Sequence, residues 1–135
     1  LIKLLYIVII IVSLSWISSC DNSIPTWQES NIEFPTGDSI PSFVNHVRPF
    51  AQQKCSYAGC HSDFTMAGGR RITDYFSYFE AANIGFVVGD NPDASLFYQV
   101  MNAKNPHLVN YRIVAPSQNQ ISGIYKWIKA GAPNN

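Results

Sequence analysis

An all-α domain is what this sequence predicts, and three observations predict it. Apolar residues recur at helical spacing between capping residues and breakers, as in the stripe Ile121, Ile124, Tyr125 and Ile128. No alternating apolar–polar run of strand length interrupts them. The chain carries 8 Phe, 7 Tyr and 3 Trp, enough bulky side chains to fill the single compact core that its length supports.

The elements follow in order. Residues 1–19 differ in kind from the rest: Lys3 gives one early positive charge and Leu4 to Ile17 is almost wholly apolar. That run is shorter than the roughly 20 residues needed to span a bilayer and fits the core of a secretory signal. Ile17-Ser18-Ser19-Cys20 resembles the lipobox of bacterial lipoproteins. The resemblance implies a signal peptide over residues 1–19, cleavage before Cys20, and more than one acyl chain on that cysteine, enough for stable anchoring. The mature chain is then exported and lipid-anchored to a bacterial membrane, facing the periplasm or the cell surface. An ordinary signal peptide followed by a chance cysteine is the alternative.

Residues 20–41 are polar and carry Pro25, Pro35, Gly37 and Pro41, the composition of a flexible tether. The domain proper is expected over residues 42–135. Asp38 or Ser39 is positioned to cap a helix starting near Pro41, with Phe43, Val44, Val47 and Phe50 as its stripe and a kink or restart at Pro49. Thr73 or Asp74 should cap a short helix through Ala82, and Asp93 a helix from Ala94 to Ala103. Residues 105–116 read as loop. Ser117 then caps a last helix closed by Gly131 and Pro133.

Charge excludes one class of partner. The 9 Lys+Arg and 9 Asp+Glu cancel, and no basic stripe offers itself to nucleic acid.

The chemistry lies in Cys55-Ser-Tyr-Ala-Gly-Cys60-His61. Two nearby thiols followed directly by histidine are what covalent haem attachment requires. Each sulfur adds across one vinyl group, and the imidazole reaches the iron. The common spacing is C-x-x-C-H; here four residues separate the cysteines, so the loop must bulge. The 3 cysteines are then accounted for, Cys20 for lipid and Cys55 and Cys60 for haem. Two other readings of the same residues are a Cys55–Cys60 disulfide, natural in an oxidising compartment, and a zinc site with His61 and His46.

Further segments carry a resemblance over about 90 residues, within one ordinary domain size. Phe43 to Pro49 precedes the cysteines. Gly68-Gly69 is followed by Ile72 and Tyr75. Val88-Gly89-Asp90 precedes Ser95-Leu96-Phe97-Tyr98, and Trp127-Ile128 precedes Gly131-Ala132-Pro133. In this order they resemble the small single-haem cytochrome c domains of exported bacterial proteins of planctomycete and Bacteroidetes type. The resemblance implies a cytochrome c-like helical domain wrapped around one covalent haem c, with His61 as proximal iron ligand. It implies electron transfer to redox protein partners or within a membrane-bound redox complex, rather than an enzyme activity.

Members of that family supply a distal methionine in the loop before the last helix; residues 107–116 contain none. His107 lies in that loop and is the first candidate for the distal position, with Met101 the runner-up. Met66 follows His61 so closely that an extended chain of roughly 17 Å would have to round the porphyrin edge, and His46 lies before the cysteines. An open iron, suited to peroxide or gas-ligand chemistry, is the enzyme alternative. A haem-free lipoprotein with a Cys55–Cys60 disulfide is the structural one. Arg70 and Arg71 are candidate partners of the haem propionates, since guanidinium pairs bidentately with carboxylate. Trp127 is a candidate haem contact as well as a core residue.

Overall fold

In the computed structural model the described residues are 32–57, 59–107 and 115–135. The signal segment, Cys20 and the first part of the expected tether lie outside them, as do residues 108–114 in the loop before the last helix. Among the described residues there are helices and turns and no strand. No described helix is long and apolar enough to cross a membrane.

The first helical segment opens on Ser42, whose side chain accepts from the Asn45 amide. It begins as a π-turn, Phe43–Val47, and passes into α1, Arg48–Lys54, with Pro49 in its first turn. The chain is already helical there, Val47 and Arg48 both being αR, so the missing Pro49 N–H removes one intrahelical hydrogen bond at the junction of the π-turn and α1. The wide π-turn also shifts the stripe. Phe43, Val47 and Phe50 are buried, whereas Val44 is 51 % exposed, because extra residues per turn rotate it off the inner face.

The helix expected up to Ala82 is two separate 3₁₀ turns, Phe76–Tyr78 and Ala81–Asn83. Local side chains capture the backbone groups a continuous helix would use. Asp74 accepts from the Ser77 amide at 3.0 Å, and the Ser77 hydroxyl accepts from the Thr73 amide at 3.2 Å. The Asn83 amide group donates to the Arg71 and Ser77 carbonyls. The next helix also departs from expectation. Asn91, not Asp93, caps a 3₁₀ turn Pro92–Ala94, and α2, Leu96–Met101, follows Ser95. The buried Ser95 hydroxyl bonds the Asn91 carbonyl at 2.9 Å and accepts from the Val88 amide at 2.9 Å, which fixes the turn before α2.

The last helix, α3, Gln118–Lys129, starts at Ser117 in a capping box with Gln120. Its end is a Schellman turn: Gly131, at φ +85°, donates to Ile128, and Ala132 donates to Trp127. The tail then crosses to the first helical segment. Tyr75 donates its hydroxyl to the Ala132 carbonyl at 2.9 Å. Asn135 accepts from the amides of Phe43 and Val44 at 2.9 and 3.0 Å. Between these elements lies an aromatic core. Trp127 and Phe50 are fully buried and Tyr78 is 1 % exposed; Phe43 stands edge-on to Tyr78, at 5.4 Å between ring centres.

The structure shortens the expected tether, because the chain from residue 32 onward is docked on α3. Phe34 is 2 % exposed and exchanges two hydrogen bonds with the Asn119 side chain, at 2.7 and 2.9 Å. Gln120 donates to the Ile32 carbonyl and Lys126 to that of Gly37. The Phe34 ring sits in a notch that only glycine leaves open, since a Cβ at Gly123 would stand 2.1 Å from its Cδ1. Gly123→Ala is therefore expected to cost about 2–3 kcal/mol of stability, as overpacking does in a filled core. The same change made on a Phe34→Ala background should cost less than about 1 kcal/mol. Denaturant unfolding of the four proteins in this cycle checks both figures.

Candidate functional site

Cys55 ends α1, its amide still donating to Ala51 at 2.8 Å. The chain then bulges through a turn in which Cys60 donates to the Tyr57 carbonyl at 3.0 Å, and the loop closes where His61 donates to the Cys55 carbonyl at 3.0 Å. The return segment is stitched to it. Ala67 donates to Cys60 at 2.9 Å and Ile72 to His61 at 3.0 Å, while the Ser56 hydroxyl donates to the Ile72 carbonyl. Gly68 and Gly69, at φ +61° and +73°, turn the chain so that Arg70 comes alongside His61.

That turn decides the state of the imidazole. His61 Nδ1 lies 3.1 Å from the Arg70 carbonyl oxygen, which can only accept. In the neutral ring the proton therefore sits on Nδ1, and Nε2 keeps the lone pair a metal needs. Burial holds His61 below its ordinary value and the neighbouring His107 and Arg70 charges add to the depression, while the backbone of Arg70 and, more weakly, that of Ala67 oppose it by hydrogen bonding the ring. The two histidine rings are 6.0 Å apart between centres and inclined at 43°.

Cys55 and Cys60 are both free thiols. Cys55 keeps some contact with solvent, yet the protein packed around it pushes its thiol up to about 12, with Cys60 adding to the effect and Lys54 opposing it. Tyr78 stands close enough to feel the Cys55 charge, and burial first, then that charge, pushes its hydroxyl well above the ordinary value. Among the described residues that buried hydroxyl has no hydrogen-bond partner, a condition that costs about 1–3 kcal/mol. A polar atom is thus left unsatisfied beside the first cysteine.

The other expected site residues divide. Arg70 contributes its carbonyl to His61, and its guanidinium makes one long bond of 3.4 Å to Asn83. Arg71 already faces three carboxylates, Glu80 at 3.3 Å, Asp63 at 3.4 Å and Asp74 at 3.5 Å. Trp127 is 0 % exposed, ringed by Phe43 and Tyr78, with its indole N–H donated to the Pro133 carbonyl at 2.9 Å. Met101 packs against the core from α2. Met66, 40 % exposed and at φ +46°, borders an open concavity of about 710 Å³ whose walls also include Asp63, Arg71 and Glu80. His46 accepts from the Ser42 amide at 3.1 Å and packs on Phe34. The partner sequence reasoning did not find is the backbone of Arg70, and Gly68-Gly69 was the only signal that the chain returns there.

Among the described residues no group of three or more His, Cys, Asp or Glu side chains is arranged to hold a bare metal ion. The donor set suits a metal that arrives with in-plane nitrogens of its own: one oriented imidazole and two unpaired thiols on one closed loop, with a second imidazole near. No protein-family model, no curated protein and no solved structure matches the chain.

The Cys55 environment gives a direct check. In the folded, haem-free protein Cys55 should alkylate roughly a hundredfold or more slowly than in the urea-unfolded chain, since the thiolate is the reacting form. Timed labelling followed by mass analysis of the Cys55 peptide measures this, and equal rates in the two states would contradict it.

Proposed function

We propose that this chain is an exported, lipid-anchored c-type cytochrome that carries electrons through one covalently attached haem. The observation that carries the reading is the His61 ring. It follows directly on two unpaired cysteines, and its Nδ1 proton is committed to the Arg70 carbonyl, which leaves Nε2 for iron. Cys55 and Cys60 would hold the haem through thioethers and His61 would take its iron from one face. When bound, the group supplies one-electron chemistry at the iron.

The protein's own residues do the rest. The amide of His61 bonds the carbonyl of Cys55 and so ties the backbones of the first cysteine and the histidine together, and the aromatic core from Phe43 to Trp127 is buried from water. Arg70, with a single weak side-chain bond, is the better placed of the two arginines to meet a propionate. Lipid on Cys20 would keep the domain at a membrane surface, among redox protein partners or within a membrane-bound redox complex.

Expression of the full chain in a host that matures c-type cytochromes tests the reading. The expected product is coloured, gives the alkaline-pyridine spectrum of haem c, and has gained the mass of one haem. Cys55→Ser with Cys60→Ser should abolish covalent haem. A colourless product with free or mutually bonded Cys55 and Cys60 would replace the cytochrome with the haem-free lipoprotein.

A further inference from the structure

We propose that His107 is the second axial ligand, so that the iron held by His61 is closed on both faces by imidazole. This rests on the haem reading above and goes further, by naming the residue that decides what the iron can do.

The geometry points there on three counts. The first is spacing. Two imidazoles on opposite sides of one first-row metal ion, each with a nitrogen about 2 Å from it, have ring centres about 6 Å apart, against about 5 Å on a tetrahedral ion, and those of His61 and His107 are separated by 6.0 Å. Ring packing alone would reward His107 little, because the residue is exposed. The second count is commitment elsewhere. His46 has its Nδ1 on the Ser42 amide and its ring on Phe34, Met101 is packed against the core, and Met66 borders the concavity shared with Arg71. The third is ligand number. Among the described residues no third His, Cys, Asp or Glu side chain joins the two imidazoles in a metal-holding group, the Cys55 and Cys60 thiols included, so a bare zinc ion would be left two ligands short of its usual four. The pair completes the set for an iron already held by four in-plane nitrogens.

The chemical consequence is a choice between functions. Imidazole on both faces leaves no vacant position for peroxide or a gas ligand, so the domain is an electron carrier. Nitrogen in place of the methionine usual in cytochromes c also lowers the potential, since methionine ligation raises it.

The test uses the full chain with covalent haem in place, as wild type, His107→Ala and His107→Met. The wild type should be low-spin when oxidised, show the near-infrared band of two nitrogen ligands, and bind carbon monoxide slowly when reduced. His107→Ala should turn high-spin, bind carbon monoxide at least tenfold faster, and regain the low-spin spectrum on adding imidazole. His107→Met should show the band of a sulfur ligand and a higher midpoint potential. A wild type that is high-spin and binds carbon monoxide as fast as His107→Ala would overturn the assignment. A low-spin spectrum that survives His107→Ala would overturn it too, and both results leave the cytochrome reading standing. A product without covalent haem removes that reading and this one together.

Discussion

One hydrogen bond, from His61 Nδ1 to the carbonyl of Arg70, sets the orientation of the imidazole beside the two cysteines. Its acceptor belongs to the backbone, so no side-chain rotamer can withdraw it. It exists only because the chain reverses through Gly68 and Gly69 at positive φ and is pinned on its return by the pairing of Ile72 with His61. Residue 61 is thus held through its amide, its carbonyl and its ring at once. Such over-determination is what a metal ligand needs, because a ring free to rotate would offer the wrong nitrogen as often as the right one.

The widened gap between the cysteines makes sense in the same terms. The extra residues are absorbed in the turn where Cys60 donates to Tyr57, outside the contacts that set His61. The amide of His61 reaches the carbonyl of Cys55, so the backbone relation between the first cysteine and the histidine is fixed where the loop closes. Behind the loop the buried Ile72 carries this relation into the core. Tyr75 ties the same region to the tail at Ala132, and the tail in turn caps the first helical segment through Asn135. The terminal Trp-Ile and Gly-Ala-Pro residues therefore serve the site at a distance, by fixing what the loop rests on.

What was legible in the sequence was local. Ser117 and Gln120 announce α3 because a capping box lies within four residues of chain, and Gly131 marks its end because the turn there demands positive φ. Pro49 signalled a break, yet nothing in the spacing of Phe43, Val44, Val47 and Phe50 revealed a π-turn, whose register is a property of hydrogen bonds. The run from Thr73 to Ala82 has the composition of a short helix. Its Asp74, Ser77 and Asn83 side chains outcompete the helix for backbone partners. The docking of Phe34 into the Gly123 notch joins residues 89 apart in sequence, and one glycine in a helix does not say which ring will fill its space. For the site, His61 and the cysteines were readable as chemistry, whereas the partner of His61 is a carbonyl and leaves no mark on residue type.

Electrostatics separates the two arginines that the sequence offered as equals. Arg71 stands within 3.5 Å of three carboxylates, so its immediate neighbourhood carries two net negative charges and would repel a further carboxylate. Exposed pairs of this kind contribute about 0–1 kcal/mol each, and their effect here is to commit the guanidinium rather than to stabilise the fold greatly. Among the described residues the Arg70 guanidinium bonds the neutral side chain of Asn83 and no carboxylate, and its own carbonyl is the acceptor for His61. An anionic group meeting Arg70 would therefore bear on the one residue whose backbone orients the imidazole. Binding at the periphery and alignment of the His61 ring would then be carried by the same residue.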